Sequence, residues 1–406
     1  MGKRADWLIF EAVTLAWIVI LIVYIIHGAY TTISFISINA KLRRKAWISP
    51  PSTIDTPLCL IIPLYKEDEG SIAKTFTSLA EQDYPHDLAR TIIVIEQGDD
   101  ATFNSVNEKL RILKDTGFKT EIIVKPPPRS TKALALNYAL TLVKEPVIGI
   151  YDGGDVIADS QQLRRAVSLL ASGCDGVGMR VIRGGNGIVS TFSWIDTTMW
   201  CDVTLPALTC LLRSPLVSGE GLFVRKDAME TLGGFPNSLT EDSHLTLLFA
   251  QRGLSMKLLN STVYEGAPMD LNNLIRQKLR WHRGISFCFR QTIMSKLPIR
   301  RKIELTLAYS APVVLVAISL SFLIIVLGIL DPWIIPGFIL WWSLFIVIST
   351  MTAPIYLTLA KYSIPVRSIL LLPFYWFVVG LLTLYAFFSP RISWYRTSKR
   401  ADFPHS

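Results

Sequence analysis

Two acids side by side at the head of an amphipathic run are the residues of this sequence best placed to do chemistry. Leu239-Thr240-Glu241-Asp242 leads into Ser243-His244-Leu245-Thr246-Leu247-Leu248-Phe249-Ala250, the pattern of a helix with Glu241 and Asp242 in its first turn. An anion in that turn is stabilised by the helix N-terminus, so Asp242 is expected to stay ionised and act as a general base. Adjacent helical positions point about 100° apart, so one acid of the pair can face a substrate hydroxyl; Asp242 takes the role, with Glu241 its rival. Further on, Gln277, Arg280 and Trp281 fall three and four apart in Gln277-Lys278-Leu279-Arg280-Trp281. One helical face then carries an amide, a guanidinium and an indole, a set suited to a diphosphate beside a sugar ring.

The elements that must position these groups alternate. Short apolar runs at 58–64, 91–96, 121–125 and 147–151 read as strands, and amphipathic stretches at 70–81, 108–116 and 130–143 as helices. The alternation predicts a doubly wound α/β sheet whose ligands bind at the carboxyl ends of the strands. Candidate groups stand at those ends: Glu67 and Glu69 after the first strand, Glu96 closing the second, and Asp152-Gly153-Gly154-Asp155 after the fourth. Two carboxylates on a glycine turn can converge on one hard cation, so Asp152 and Asp155 are the metal candidates. Lys132, near the start of the helix at 130–143, would add its ammonium to the free N–H groups there and attract phosphate.

Thr240-Glu241-Asp242 followed by Gln277, Arg280 and Trp281 resembles the membrane-embedded inverting glycosyltransferases of family 2, the group that holds hyaluronan, chitin and cellulose synthases and the glucosylceramide synthases. The resemblance implies a GT-A type nucleotide-sugar-binding domain with a Rossmann-like sheet. It also implies a nucleotide-diphosphate sugar donor, UDP favoured, with Mg²⁺ or Mn²⁺ as cofactor. In its terms Glu67, Glu96, Lys132 and Asp152 bind the donor; Glu96 stands where the family, usually with Asp, holds the nucleotide base or ribose. Thr131-Lys132-Ala133-Leu134-Ala135-Leu136-Asn137 is similar to the family's G-K-x-x-A-L-N, with Thr131 for the glycine. Asp152-Gly153-Gly154-Asp155 resembles the D-x-D metal motif, with Gly154 where the second acid is common and the acid one place later. Trp394-Tyr395-Arg396-Thr397-Ser398-Lys399 looks like the W-x-x-T-x-K/R element that folds back over the donor site in processive members.

Half of the 406 residues are apolar and 18% are charged, and the apolar ones are segregated. The stretches 7–26, 303–330, 333–360 and 369–388 are each near or beyond the ~20 residues that cross a bilayer, and none lies between 50 and 300. The expected organisation is an N-terminal membrane anchor at 1–48, a catalytic domain at 49–300 with an interfacial helix near its end, and transmembrane segments with a tail at 301–406. The first segment is too long for a removable signal and lacks a small-residue cleavage site. The net charge of +9 sits beside the apolar segments, which argues against nucleic acid and, by the positive-inside rule, places an integral cell-membrane protein with its catalytic domain in the cytoplasm. Three full crossings after that domain would put the tail outside, yet Arg396, Lys399 and Arg400 ask to be inside. The last segment, with Pro365 and Pro373 near and within it, is the one expected not to cross. Cys59, Cys174, Cys201, Cys210 and Cys288 form no C-x-x-C pair, so neither a zinc site nor a disulfide framework is expected.

The tail favours polysaccharide synthesis on a growing glycan. The few membrane segments, which would need a partner or a homo-oligomer to frame a polymer channel, favour transfer of one sugar to a membrane lipid. A catalytically decayed scaffold is the reading from another class, suggested by Gly154 and opposed by the intact acid and Gln-Arg-Trp sets. Trp194 and Trp200 fall in the stretch expected to face the acceptor, where aromatic rings either line a sugar path or fill a core.

Overall fold

The computed structural model describes residues 46–51, 56–127, 131–212, 215–330, 337–360, 366–389 and 395–399, with isolated positions between 11 and 25. Most of the expected N-terminal anchor, Pro365, Trp394 and Arg400 lie outside the described residues.

The strands are β1 (Trp47–Ile48), β2 (Leu58–Leu64), β3 (Ala89–Glu96), β4 (Lys119–Lys125), β5 (Val147–Ile150), β6 (Val156–Ile157), β7 (Gly176–Gly184), β8 (Leu222–Arg225) and β9 (Met256–Gly266). All nine belong to one sheet, in the order β1-β9-β7-β8-β5-β2-β3-β4, with β6 paired to β9 off that path. The helices are α1 (Glu69–Ala80), α2 (Asp100–Lys109), α3 (Arg111–Lys114), α4 (Lys132–Leu140), α5 (Gln162–Ala171), α6 (Ile188–Thr198), α7 (Leu205–Leu212), α8 (Lys226–Leu232) and α9 (Glu241–Gln251). They continue with α10 (Leu271–Met294), α11 (Ile299–Ala308), α12 (Ala311–Leu330), α13 (Gly337–Ala360) and α14 (Val366–Phe388).

β2 is central and reads as a continuous apolar run because both faces of the sheet are covered. On one face its Leu58, Leu60 and Ile62 pack with Ile72 and Phe76 of α1 and Leu163 of α5. On the other, Cys59 and Ile61 pack with Leu136 of α4, Met229 of α8 and Leu245 of α9. β3 and β5 flank β2 in parallel, so the turns after these three strands open on one edge. The sheet is not purely parallel as the alternation predicts: β8 runs antiparallel to both β5 and β7, and β6 antiparallel to β9. Between β7 and β8 the chain passes through α6 and α7 and returns antiparallel beside β7, so this connection is not the parallel crossover of the earlier units. The helix expected at 108–116 begins instead at Asp100, where Asp99 accepts from the Thr102 amide, and breaks between α2 and α3.

The apolar stretch expected at 303–330 is also two elements. α11 ends at Ala308, and α12 starts just before Pro312, whose ring is tolerated in a first helical turn and not inside a helix. At the break the Tyr309 hydroxyl donates to the Ser243 carbonyl at 2.7 Å, tying the foot of α12 to the helix of the paired acids. α12 and residues 367–388 of α14 are long and apolar enough to cross a membrane. They pack closely: a Cβ on Gly380 would lie 2.2 Å from the Leu315 carbonyl oxygen. Tyr24, in the first apolar stretch, donates its phenol to the Ile346 carbonyl of α13 at 2.9 Å.

α10 is a 24-residue amphipathic helix begun by Asp270, whose side chain accepts from the Asn273 amide. α14 runs beside it. Arg283 and Arg290 of α10 donate to the Phe387 carbonyl at 3.1 and 2.7 Å, closing the C-terminal end of α14 with positive charge.

Candidate active site

The turns after β2, β3 and β5, the starts of α4 and α9 and the middle of α10 surround one cavity of about 440 Å³. Glu67, Glu96, Lys132, Asp152, Glu241, Asp242, Gln277, Arg280 and Trp281 all line it. Asp155 does not, and neither does Glu69, which pairs instead with Lys109 of α2.

Local devices hold each group. After β2 the backbone turns through Lys66, a non-glycine residue at φ 54°, held by its amide on the Asp99 carboxylate at 2.6 Å. The next amide, of Glu67, donates to Thr102 Oγ1 at 3.0 Å, so the β3–α2 loop fixes where Glu67 points. Glu96 ends β3 with its carboxylate 3.5 Å from Lys125 of β4.

After β5 the glycine pair has a specific task. A Cβ on Gly153 would meet the Glu67 side chain at 2.8 Å, and Gly154 sits at φ 90° with its amide on Thr75 Oγ1. Asp155 then folds back: its Oδ2 accepts from the Asp152 amide at 2.7 Å and the residue is 0% exposed. The two carboxylates therefore do not present themselves side by side to the cavity: Asp155 lies beneath the turn while Asp152 faces the cavity. Burial, then the neighbouring Asp152, pushes the Asp155 carboxyl well above the usual carboxylate range.

Lys132 at the start of α4 reaches Asp152 Oδ1 at 2.6 Å and Glu241 Oε1 at 3.6 Å, and donates to the Gly219 carbonyl. It thereby links the turn after β5 to the first turn of α9. Asp242 accepts from the Gly219 amide at 3.1 Å and from its neighbour's, Ser243, at 2.6 Å. Those two donors and the helix terminus do not keep its pKa low, as the sequence suggested. Loss of bulk water, then the charges of Glu241 and Glu220, raise the Asp242 carboxyl to about 7. The helix-terminus effect is worth ~1 kcal/mol and fades with geometry, whereas desolvating a carboxylate shifts it by whole pKa units.

α10 brings the second set. Gly284 lets it approach α9, since a Cβ there would lie 2.2 Å from Thr240 Oγ1. Gln277 is buried, and Arg280 donates to the Leu239 carbonyl at 3.1 Å with its Nε buried and without a partner among the described residues. Trp281 is faced by two cations, Arg183 at 4.7 Å and Lys278 at 5.0 Å from its ring centroid.

A buried charge cluster not anticipated from the sequence closes the cavity floor. Arg183 of β7 pairs with Glu220 at 2.7 Å and with Glu265 of β9, and Lys399 of the tail also meets Glu265. Despite burial, Arg183, Lys132 and Lys399 hold the Glu220 carboxyl down at about 2. The tail is docked as its motif suggested: Arg396 pairs with Glu67 at 2.8 Å, and Met269 donates its amide to the Ser398 carbonyl at 2.9 Å. Asp196 of α6, also unforeseen, accepts from Lys278 at 2.6 Å and from the Tyr375 hydroxyl.

A family model described as glycosyltransferase like family 2 matches residues 56–284, more than half of the chain and the whole of this constellation. The chain belongs to glycosyltransferase-like family 2. Among its relatives are a probable glycosyltransferase of Bacillus subtilis, YdaM, 24% identical over 73% of this chain and 70% of the relative. An N-acetylglucosaminyltransferase of Rhizobium meliloti is likewise 24% identical, over 72% of this chain and 69% of its own. Among solved structures, a mannosyltransferase from Pyrobaculum calidifontis in complex with GDP-mannose and Mn²⁺ shares the fold with a TM-score of 0.61 at 18% identity, covering 91% of this chain and 96% of that one. This family 2 enzyme is a glycosyltransferase with a GT-A fold built on a mixed sheet.

Proposed function

We propose that this glycosyltransferase moves a sugar from a nucleoside-diphosphate donor to an acceptor hydroxyl at a membrane surface, in one displacement that inverts the anomeric centre. The observation that carries the reading is the chain of contacts from Asp152 through Lys132 to Glu241, with Asp242 beside it in the same cavity. Donor-side and acceptor-side carboxylates are thus held at opposite ends of one ammonium. Asp242 takes the proton of the attacking hydroxyl; a carboxyl near 7 matches the operating pH of a general base. The charge that develops on the leaving diphosphate is met by Lys132 and by Arg280, whose buried Nε has a free N–H to donate. Glu241 holds Lys132 in place, and Glu67 and Glu96 wall the nucleotide end.

A divalent cation fits the donor set, and the Pyrobaculum calidifontis neighbour was solved with Mn²⁺. Asp152 offers hard oxygen at the cavity wall, and no three His, Cys, Asp or Glu side chains among the described residues form a closed cage. That suits Mg²⁺ or Mn²⁺, which take one or two carboxylates and complete their shell with phosphate and water. Asp152 would hold the ion and Asp155 would brace the turn behind it. When bound, the ion supplies Lewis-acid neutralisation of the diphosphate.

The membrane setting rests on the apolar helices α12 and α14, on the amphipathic α10 and on the basic residues at 300–302. The full chain in lipid vesicles, supplied in turn with UDP-sugars and GDP-mannose, should release nucleotide and give a product whose proton NMR shows the anomeric configuration opposite to the donor. Retention of configuration, or no nucleotide release with any donor, would sink the proposal.

A further inference from the structure

The cavity does not end at the acids. Beyond Asp242 it continues to the first turns of α12, where Ala311, Pro312, Leu315 and Ile318 line it, with Trp376 and Val379 of α14 opposite. Thr350 of α13 also borders this part, but its hydroxyl already donates to the Ile346 carbonyl. A glycan threaded there would bring several hydroxyls per ring to aliphatic walls that cannot bond them, and each hydroxyl left unpaired would count against binding. An alkyl chain brings none.

The inward stripe of α10 marks where the change occurs. Gln277, Lys278, Trp281, His282 and Ile285 all line the cavity, so its wall passes from amide and ammonium to aliphatic side chain within about two helical turns. His282 stands at that boundary, 7% exposed, and neither ring nitrogen has a hydrogen-bond partner among the described residues. Burial, then Lys278, pushes its imidazole down to about 3, so it stays neutral and keeps one N–H to give and one lone pair to receive. Buried polar atoms are ordinarily paired, and an imidazole with two free nitrogens facing a cavity marks a place for a ligand's polar group.

We infer that the acceptor is a hydroxyl-bearing lipid whose alkyl chain lies against the cavity wall that α12 and α14 form and whose polar head rests against His282, within the cavity that holds Asp242. The inference rests on the transferase reading for the fate of the hydroxyl, and it selects single-sugar transfer to a lipid over polymer synthesis. The chain enters beside the feet of α12 and α14, and the head reaches the base without leaving the apolar crevice for water.

The test uses the full chain in phosphatidylcholine vesicles with a long-chain primary alcohol carrying a mid-chain diazirine, and in parallel the matching hydrocarbon without the hydroxyl. Irradiation should crosslink the alcohol saturably to Pro312, Leu315 and Val379. Ala311→Trp, which fills the crevice, should weaken that labelling by about tenfold or more, the equivalent of two methylenes kept from burial. Leu370→Trp, on an outer face where Leu370 is 75% exposed, should leave it unchanged. His282→Leu should raise the half-saturating alcohol concentration roughly fivefold, the worth of one hydrogen bond, and leave the hydrocarbon alone. Labelling that never saturates, or that is confined to outward residues such as Trp341 and Leu370, overturns the inference even if the variants fail to fold, because the wild-type map alone decides it. Vesicles that label as expected yet release no nucleotide from any donor count against the transferase reading and leave the lipid site standing.

Discussion

Asp242 carries the most chemistry per atom in this molecule, and its surroundings set the pH at which it can work. As a base it must be ionised, and its carboxyl is raised to about 7 by removal from water and then by Glu241 and Glu220. Transfer should therefore fall as pH drops below about 7, and kcat/KM measured across pH should show an acidic limb there. Glu241→Gln removes one of the two raising charges, so the limb should move to lower pH; a limb that stays in place would mean that Glu241 does not act on Asp242. Asp242→Asn keeps the shape and one of the two side-chain hydrogen bonds but removes the base. Donor binding should persist while transfer falls by about 10²- to 10⁴-fold. A folded Asp242→Asn enzyme with near-normal transfer, beside an inactive Glu241→Gln, would hand the role to Glu241.

The turn after β5 shows what an element does that its residue types do not announce. Asp152 and Asp155 read as two equivalent ligands on a flexible glycine turn, but Gly154 at φ 90° sends Asp155 back under Asp152, where it accepts the Asp152 amide. Asp155→Ala would leave that amide unpaired and should lower stability by about 1–3 kcal/mol in chemical denaturation. Asp155→Asn retains a carbonyl oxygen for the amide, so it should denature close to wild type and keep its Mn²⁺ dependence of transfer, whereas Asp152→Asn should lose that dependence. Loss of Mn²⁺ dependence in Asp155→Asn would restore both acids as ligands. The same contrast explains what was legible in the sequence. Strand-end acids such as Glu67 and Glu96, the α9 acids and the α10 set are local patterns with a fixed period, and the structure brings them together around one cavity. The cluster of Arg183, Glu220 and Glu265 joins residues far apart in the chain, and β9, which supplies Glu265, breaks its apolar alternation at Asn260-Ser261-Thr262. Nothing in the spacing of those three residues announces that they meet.

At the scale of the whole molecule, the contacts of α14 bear on which side of a membrane the tail lies. A helix that crossed a bilayer away from the catalytic domain would leave contact with it within a few turns. α14 instead touches domain-side groups at two levels: Tyr375 donates to Asp196, which is itself paired with Lys278, and the Ala386 and Phe387 carbonyls accept from Arg283. Those points lie about 17 Å apart along the helix at 1.5 Å per residue, so more than half a bilayer's depth of α14 runs beside α10. Pro373, inside the helix, removes one backbone hydrogen bond where α14 begins this course. Past α14, Ser398 donates its amide to Asn273 and accepts the Met269 amide, both at the start of α10. The last apolar segment should therefore not cross fully, and the tail should share a compartment with the nucleotide sugar. With Ser398→Cys introduced into a chain whose native cysteines are replaced, a membrane-impermeant maleimide should label inverted vesicles, in which the catalytic domain faces out, and leave intact cells unlabelled. Labelling in intact cells alone would place the tail across the membrane from the active site, and the contacts of Arg396 with Glu67 and of Lys399 with Glu265 could not then form in the cell.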